Sequence, residues 1–483
     1  MDIRQKCNWS IQYCRFEGLQ RRAVELCHRE LGSRVLREGT EYVMPTLAVL
    51  PYPAERTGST VVIGLREECA LIAAHIAPEE IPPRGYAVRV MDDPEREGGQ
   101  LVLITGETDR ELFYGATDFV FDFIPASAPR RSSVRNTHDT FHRPLPAYFH
   151  ASAPAVATRG IWAWGHPIND YRDYIEKMAY MRLNQLILWN DFMPINADDV
   201  IAYAHSFGIE VIWGYAWGWT TNCGDIDLDA LDALSARIAA QFEREYAPHG
   251  VDGIYFQSFT ELHAPMLRGR LIADVVTDFV NATAARIFEK HPQLKLQFGL
   301  HATSVRDYVA NIARTDPRIE ILWEDCGPAP YAYYHAPQDD AAFAENVRVT
   351  DEMIDLRRAA GGRSGFAFKG HAVFDWTRFV HQSGPYILGE ASRELIEHDR
   401  ALLRPIWRVV QADWLQYGEQ TWRMVRHMVD KTGGEITLCA VGDVFGGFAP
   451  YSLALTAEML WDCRSDYSAL CARVARKGFV ELV

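Results

Sequence analysis

His166, Asn190, Asp191, Thr260, Glu261, His301, Glu324, Asp325, Lys369, His371 and Asp375 share a context: each lies in or just after a short, nearly apolar segment. Carboxylates, imidazoles and an amine so placed suit proton transfer. A carboxyl group kept protonated can give its proton to a leaving oxygen, and an ionised one can activate water or attack an electrophilic carbon. Taken singly, any of these acids reads as a helix cap or half of an ion pair. Their recurrence at the ends of successive segments reads as one polar pocket. Eight of the 13 tryptophans, Trp162, Trp164, Trp189, Trp213, Trp217, Trp219, Trp323 and Trp376, lie in or just after the same segments. Each alone reads equally as core packing. As a group, flat apolar faces beside polar groups suit the C–H faces of a sugar ring.

The chemistry these residues predict is cleavage of a glycosidic bond, which needs one protonated and one ionised carboxyl group. Glu261 follows the apolar run VDGIYFQSF, so burial is expected to keep it protonated as the acid. Glu324 or Asp325 then supplies the second carboxylate. The expected substrate contacts are His166, Trp189, Asn190, Asp191, Trp217, Trp219, His301, Lys369, His371 and Trp376. Lys369 and His371 stand two apart, so a regular strand would point both to one side. The spacing of the carboxylates, which separates retention from inversion of the anomeric centre, is left open.

The elements that must position these groups alternate regularly. RGIWAWGH, NQLILWND, IEVIWGYAWGW, VDGIYFQSFTE, LKLQFGLHATS, IEILWEDCG and GFAFKGHAVFDW read as strands. Helical periodicity falls between most of them, as in DYRDYIEKMAYMR with Tyr171, Tyr174, Ile175 and Met178 on one face. Apolar strands in βα repeats predict a parallel sheet covered by helices, and seven repeats over about 220 residues predict a (β/α)8 TIM barrel. In that fold the C-terminal strand ends carry the chemistry. Arg159 opens the first strand and is expected at the opposite end.

The eighth strand has two candidates: the segment EITLCAVGD, with the strand over 436–443, after a helical insertion, or a segment near Tyr386–Leu388. The first 150 residues read as a small α/β domain with its linker. Strands are expected at 61–64 and 101–106, followed by a helix burying Leu112, Phe113, Ala116, Phe119 and Val120. The main part of the catalytic barrel is expected over 151–385, with a helical C-terminal region over 386–483 that includes the last strand.

ITGETDRELFYGATDFV resembles a signature of the small α/β domain that precedes the barrel in family 67 α-glucuronidases and family 20 hexosaminidases. RGIWAW, the helix after it and NQLILWND are similar to the opening of their barrel, and ALTAEMLWD resembles a late segment of such glycosidases. The resemblance covers roughly 300 residues. It implies a general acid at the end of strand four, the place of Glu261. Thr260 stands where family 20 carries the Asp of an adjacent Asp-Glu pair, which counts against a substrate-assisted mechanism. Family 67 implies inversion, with a base further along the barrel that Glu324 and Asp325 match. It also implies a uronic acid substrate, whose carboxylate Lys369 and His371 would hold. The alternative for Lys369 is pairing with one of the acids.

Composition excludes other classes. Charge sums to −15 over 483 residues with no basic cluster, which argues against nucleic acid or an anionic membrane as partner. No 18-residue apolar run is present. No apolar core follows the first basic residues, so a cytoplasmic protein is expected. Nine cysteines, an odd number without a CxxC pair, fit a reduced chain without structural zinc. No nucleotide or zincin motif occurs, and no cofactor or metal is expected. The expected partner is a carbohydrate, attacked from its end; a homo-oligomer is compatible with the sequence. Two alternatives remain. A metal-dependent barrel isomerase would use His166, Asp191, Glu261, His301, Asp325 and His371. A carbohydrate-binding protein would keep the barrel without turnover.

Overall fold

The structure is a computed structural model that describes residues 9–32, 47–56, 58–127, 144–164, 168–189, 192–220, 222–301, 304–325, 330–331, 339–371, 384–442 and 448–483. The chain divides into two compact units. One is Met1–Pro154 with Ser206–Gly208 and Ala472–Gly478; the other is Ala155–His205, Ile209–Cys471 and Phe479–Val483.

In the first unit six strands form one sheet: β1 (Trp9–Tyr13), β2 (Ala48–Pro51), β3 (Ser59–Ile63), β4 (Tyr86–Asp92), β5 (Gln100–Gly106) and β6 (Tyr148–Ser152). Their order is β2-β1-β3-β5-β4-β6; the first four in that order run parallel, and β4 runs antiparallel to both its neighbours. The helix Asp109–Asp118 follows β5 and is capped by the Thr108 side chain, which accepts from the Arg110 N–H. Gly106 is required at this junction, because a Cβ there would collide with the Leu112 backbone nitrogen. The expected apolar face is buried: Leu112, Ala116 and Phe119 have no exposed surface.

In the second unit eight parallel strands close a barrel. In chain order they are Thr158–Trp164, Gln185–Trp189, Glu210–Gly214, Gly253–Gln257, Lys295–His301, Ile319–Asp325, Ser364–Phe368 and Thr437–Val441. Of the two candidates for the eighth strand, Thr437–Val441 is the one in the barrel, paired with both the seventh and the first. The helices Arg393–Tyr417 and Glu419–Thr432 intervene. Both faces of such strands are covered, which is why they read as continuous apolar runs. Among the described residues no helix is long and apolar enough to cross a membrane.

Side-chain alternation sorts the tryptophans. Trp162 and Trp189 belong to the cluster filling the lumen, with Ile187, Ile212, Tyr255, Leu322, Ala367, Cys439 and Val441. Trp213 and Trp323 adjoin the lumen residues Ile212 and Leu322, so they face outward, and both are buried. The reading of the tryptophans as a sugar site is thereby corrected for Trp162, Trp213 and Trp323, which are packed in the barrel wall and lumen. The lumen admits the Trp189 indole where the neighbouring strand supplies glycine. A Cβ on Gly214 would lie 2.8 Å from the Trp189 ring.

The strand foot carries polar ties. Gln297 donates to Gln185 Oε1 (3.0 Å) and Glu320 Oε2 (2.8 Å), and Thr437 Oγ1 donates to Glu320 Oε1 (2.7 Å). Arg159, on the first strand, donates to the carbonyls of Val156, Ala157 and Arg182. Arg182 in turn meets Glu458 of the helix Tyr451–Trp461 at 3.1 Å.

Candidate active site

The fourth strand, GIYFQ, turns Phe256 outward and Tyr255 and Gln257 into the lumen. The segment after it is pinned in three places. Gln257 O accepts from the Trp217 N–H (2.8 Å), Ser258 Oγ donates to Trp217 O (2.8 Å), and Ser304 Oγ donates to Thr260 O (2.6 Å). Glu261 is thereby delivered to the barrel mouth, where its Oε1 accepts from Trp219 Nε1 at 2.9 Å.

His301 closes the fifth strand, and here the register with the sixth slips. Leu300 lies opposite Trp323 but His301 opposite Asp325, which leaves Glu324 as the extra residue. Bulges re-aim side chains at such places. Glu324 has no exposed surface. Both its oxygens accept from Gln257 Nε2 at 3.0 Å, and His301 Nε2 lies 3.0 Å from its Oε2. The same His301 nitrogen lies 3.6 Å from Glu261 Oε1, so one imidazole spans the two carboxylates. Gln257 Nε2 also reaches the Tyr255 hydroxyl at 3.1 Å. Burial, followed by the negative charges of Glu324 and Glu320, pushes the Cys439 thiol well up.

Gly299 makes this arrangement sterically possible, because a Cβ there would collide with the Tyr255 hydroxyl and Glu324 Oε1. Gly299→Ala should therefore displace Glu324 and its hold on His301. The expected loss is about 100-fold in turnover and about 1–3 kcal/mol in stability. Steady-state kinetics and thermal melts check it; an unchanged enzyme would show that the buried carboxylate has room to spare.

Several expected site residues are placed differently. The Glu261 side chain is 35% exposed, because the apolar run ends before it; burial falls on Glu324 instead. Trp217 is fully buried and stacks on Phe256 at 3.7 Å, so it packs outside the lumen and walls no pocket. The seventh strand ends at Phe368 and Gly370 takes φ +86°. That turn breaks the alternation predicted for Lys369 and His371. His371 is fully buried and stacks on Trp414 of the helix Arg393–Tyr417. Lys369 follows the lumen residue Ala367 by two and is 1% exposed. Trp189 and Trp219 meet edge to face at 6.1 Å beside Glu261. His166, Asn190, Asp191, Asp375 and Trp376 lie outside the described residues, as does the side chain of Asp325.

The structure thus brings together Glu261, His301, Glu324, Trp189 and Trp219. Tyr255 and Gln257 join them without having been expected. The signal for Gln257 was present: one amide at the end of a strand otherwise free of side-chain hydrogen-bond groups except a tyrosine two residues earlier. Among the described residues, no three His, Cys, Asp or Glu side chains are arranged to hold a metal ion.

No protein-family model and no curated protein matches the sequence. Solved structures do match. CpGH84B is similar with a TM-score of 0.52 at 11% identity, over 96% of this chain and 70% of that one. A family GH115 4-O-methyl-α-glucuronidase, BtGH115A, described as specific for decorated arabinogalactans, gives 0.49 at 12% identity, over 96% and 58%. A GH138 enzyme targeting pectin rhamnogalacturonan II gives 0.49 at 10%, over 95% and 51%. The chain spans little more than half the length of these last two. The sequence motifs resemble families 67 and 20, whereas these neighbours are glycoside hydrolases of families 84, 115 and 138. At 11% identity, the likeness to CpGH84B is one of fold.

Proposed function

We propose that the chain hydrolyses glycosidic bonds at the C-terminal mouth of its barrel, removing a terminal sugar from short glycosides. The observation that carries this reading is the accessible carboxylate of Glu261, joined through His301 to the fully buried Glu324 and flanked by the indole of Trp219. Glu261 gives the proton to the leaving oxygen. Glu324 has no surface for a substrate, so it acts by holding His301 toward Glu261. The direct second carboxylate is Asp325, its neighbour at the end of the sixth strand. Trp219, backed edge to face by the buried Trp189, gives the sugar an apolar wall.

A screen of aryl pyranosides and furanosides of both anomers tests the reading. Hydrolysis of at least one, with a monosaccharide as first product from the matching oligosaccharide, is the expected result. Saturable sugar binding without any turnover would instead favour a binding protein.

Lys369 is 1% exposed, and we take it as a partner for the acids rather than a contact for a uronate. Lys369→Met should slow a glucuronide and the matching glucoside together. Losing a buried cation disfavours nearby carboxylates in their ionised form, so the acid limb of the pH–rate profile should move to higher pH. A loss confined to the glucuronide would restore the uronate reading.

A further inference from the structure

Cys14 and Cys69 are two thiols that the first unit brings into contact and that the proposed reaction leaves unused. β1 delivers one of them: beyond Tyr13 the Cys14 N–H still donates to Ile63 O at 3.0 Å, so the residue lies against the end of β3. Cys69 immediately precedes the helix Ala70–His75. The residues beside the two cysteines are tied together. Arg15 Nε meets Glu68 Oε1 at 2.5 Å, Gln20 Nε2 donates to Glu68 Oε2 at 2.7 Å, and the Leu65 N–H donates to that same oxygen at 3.3 Å. Gly64 leaves the room the thiols need, because a Cβ there would stand 2.3 Å from Cys14 Sγ and 3.8 Å from Cys69 Cβ. The Cys14 thiol donates a hydrogen bond to the Cys69 sulfur. Both residues are free thiols; Cys69 is 1% exposed and Cys14 is partly buried.

We infer that Cys14 and Cys69 form a reversible disulfide site, closed by hydrogen peroxide and reopened by a dithiol. The two sulfurs have different parts. The hydrogen bond from Cys14 holds the Cys69 thiol down, at about 7, so roughly half of it is thiolate near neutral pH. The same bond, together with burial, pushes the Cys14 thiol up. The Cys69 thiolate therefore attacks first. A bond forms from its sulfur to one peroxide oxygen, the O–O bond breaks, and the departing hydroxide takes the Cys14 proton and becomes water. The Cys14 thiolate then attacks the sulfenic acid on Cys69. The S–S bond forms, the S–O bond breaks, and the second oxygen leaves as hydroxide, which takes a proton from solvent. Each sulfur gives up one electron, and the peroxide receives both as it becomes two waters. A small oxidant suits a sulfur so nearly covered as that of Cys69.

Peptide mapping by mass spectrometry of the full, reduced chain after treatment with hydrogen peroxide at neutral pH tests the site. The wild type should yield a cross-linked pair of peptides joining Cys14 to Cys69, and dithiothreitol should separate them. Cys14→Ser keeps a hydrogen-bond donor but cannot close the bond, so a sulfenic acid should persist on Cys69 and be trapped by dimedone. Cys69→Ser should leave Cys14 reacting about tenfold more slowly than Cys69 does in the other variant. The wild-type map decides the matter even where a serine variant folds poorly. Both thiols left intact by peroxide, a link from either one to another cysteine, or equal labelling rates in the two serine variants would each overturn the proposal.

Discussion

Glu261→Gln should lower turnover of glycosides with poor leaving groups by about 10²–10⁴-fold. The amide keeps the shape and can still sit beside Trp219 Nε1, but it has no proton to give. Aryl glycosides with strongly acidic leaving groups need little protonation and should lose roughly tenfold or less. His301→Phe and Glu324→Gln offer the comparison. If the imidazole bridging the two carboxylates tunes Glu261, both should shift the pH–rate profile of the good and the poor substrate alike. Equal loss by Glu261→Gln on both substrate types would mean that Glu261 is not the proton donor.

The second large effect concerns stability and lies away from the mouth. Arg182 and Glu458 are each 4% exposed and 3.1 Å apart, and the Arg182 guanidinium also lies 4.7 Å from the Trp461 ring centre. Removing one charge leaves the other buried without its counter-ion, which costs about 3–5 kcal/mol. Glu458→Gln should therefore lower the melting temperature by on the order of 10 °C. The paired change Arg182→Met with Glu458→Leu should recover most of that, because two well-packed apolar side chains avoid the desolvation of both charges. A single variant that melts like the wild type would show that water reaches the pair.

The barrel was legible from sequence because its signal is one-dimensional. Parallel strands covered on both faces are apolar through their middle positions, so LILW, VIWG and GIYF stand out against helices of period 3.6. The same holds for the helix buried at Leu112, Ala116 and Phe119. The polar strand ends were legible too, since each is local to its strand. Which ends meet is not local. Seven apolar strands say nothing of how far each runs, so the stop at Phe368 and the turn at Gly370, which send His371 to Trp414, had no sequence signal beyond one glycine. The direction of a tryptophan depends on counting from a strand whose first residue is uncertain; a slip of one residue reverses every face.

Burial was the other quantity that sequence misassigned. An apolar run preceding Glu261 predicts a buried carboxylate only if the chain stays in the barrel, and it leaves after Gln257. Glu324, by contrast, reads as a strand-end acid like any other. Its burial comes from the register slip against Leu300 and His301, from the space left by Gly299 on the neighbouring strand, and from the amide of Gln257 two strands away. The chain by itself determined the periodicities, and with them the barrel and the set of polar ends. Pairing register between strands, a property of two segments at once, decided which carboxylate is exposed and which is sealed beneath the imidazole.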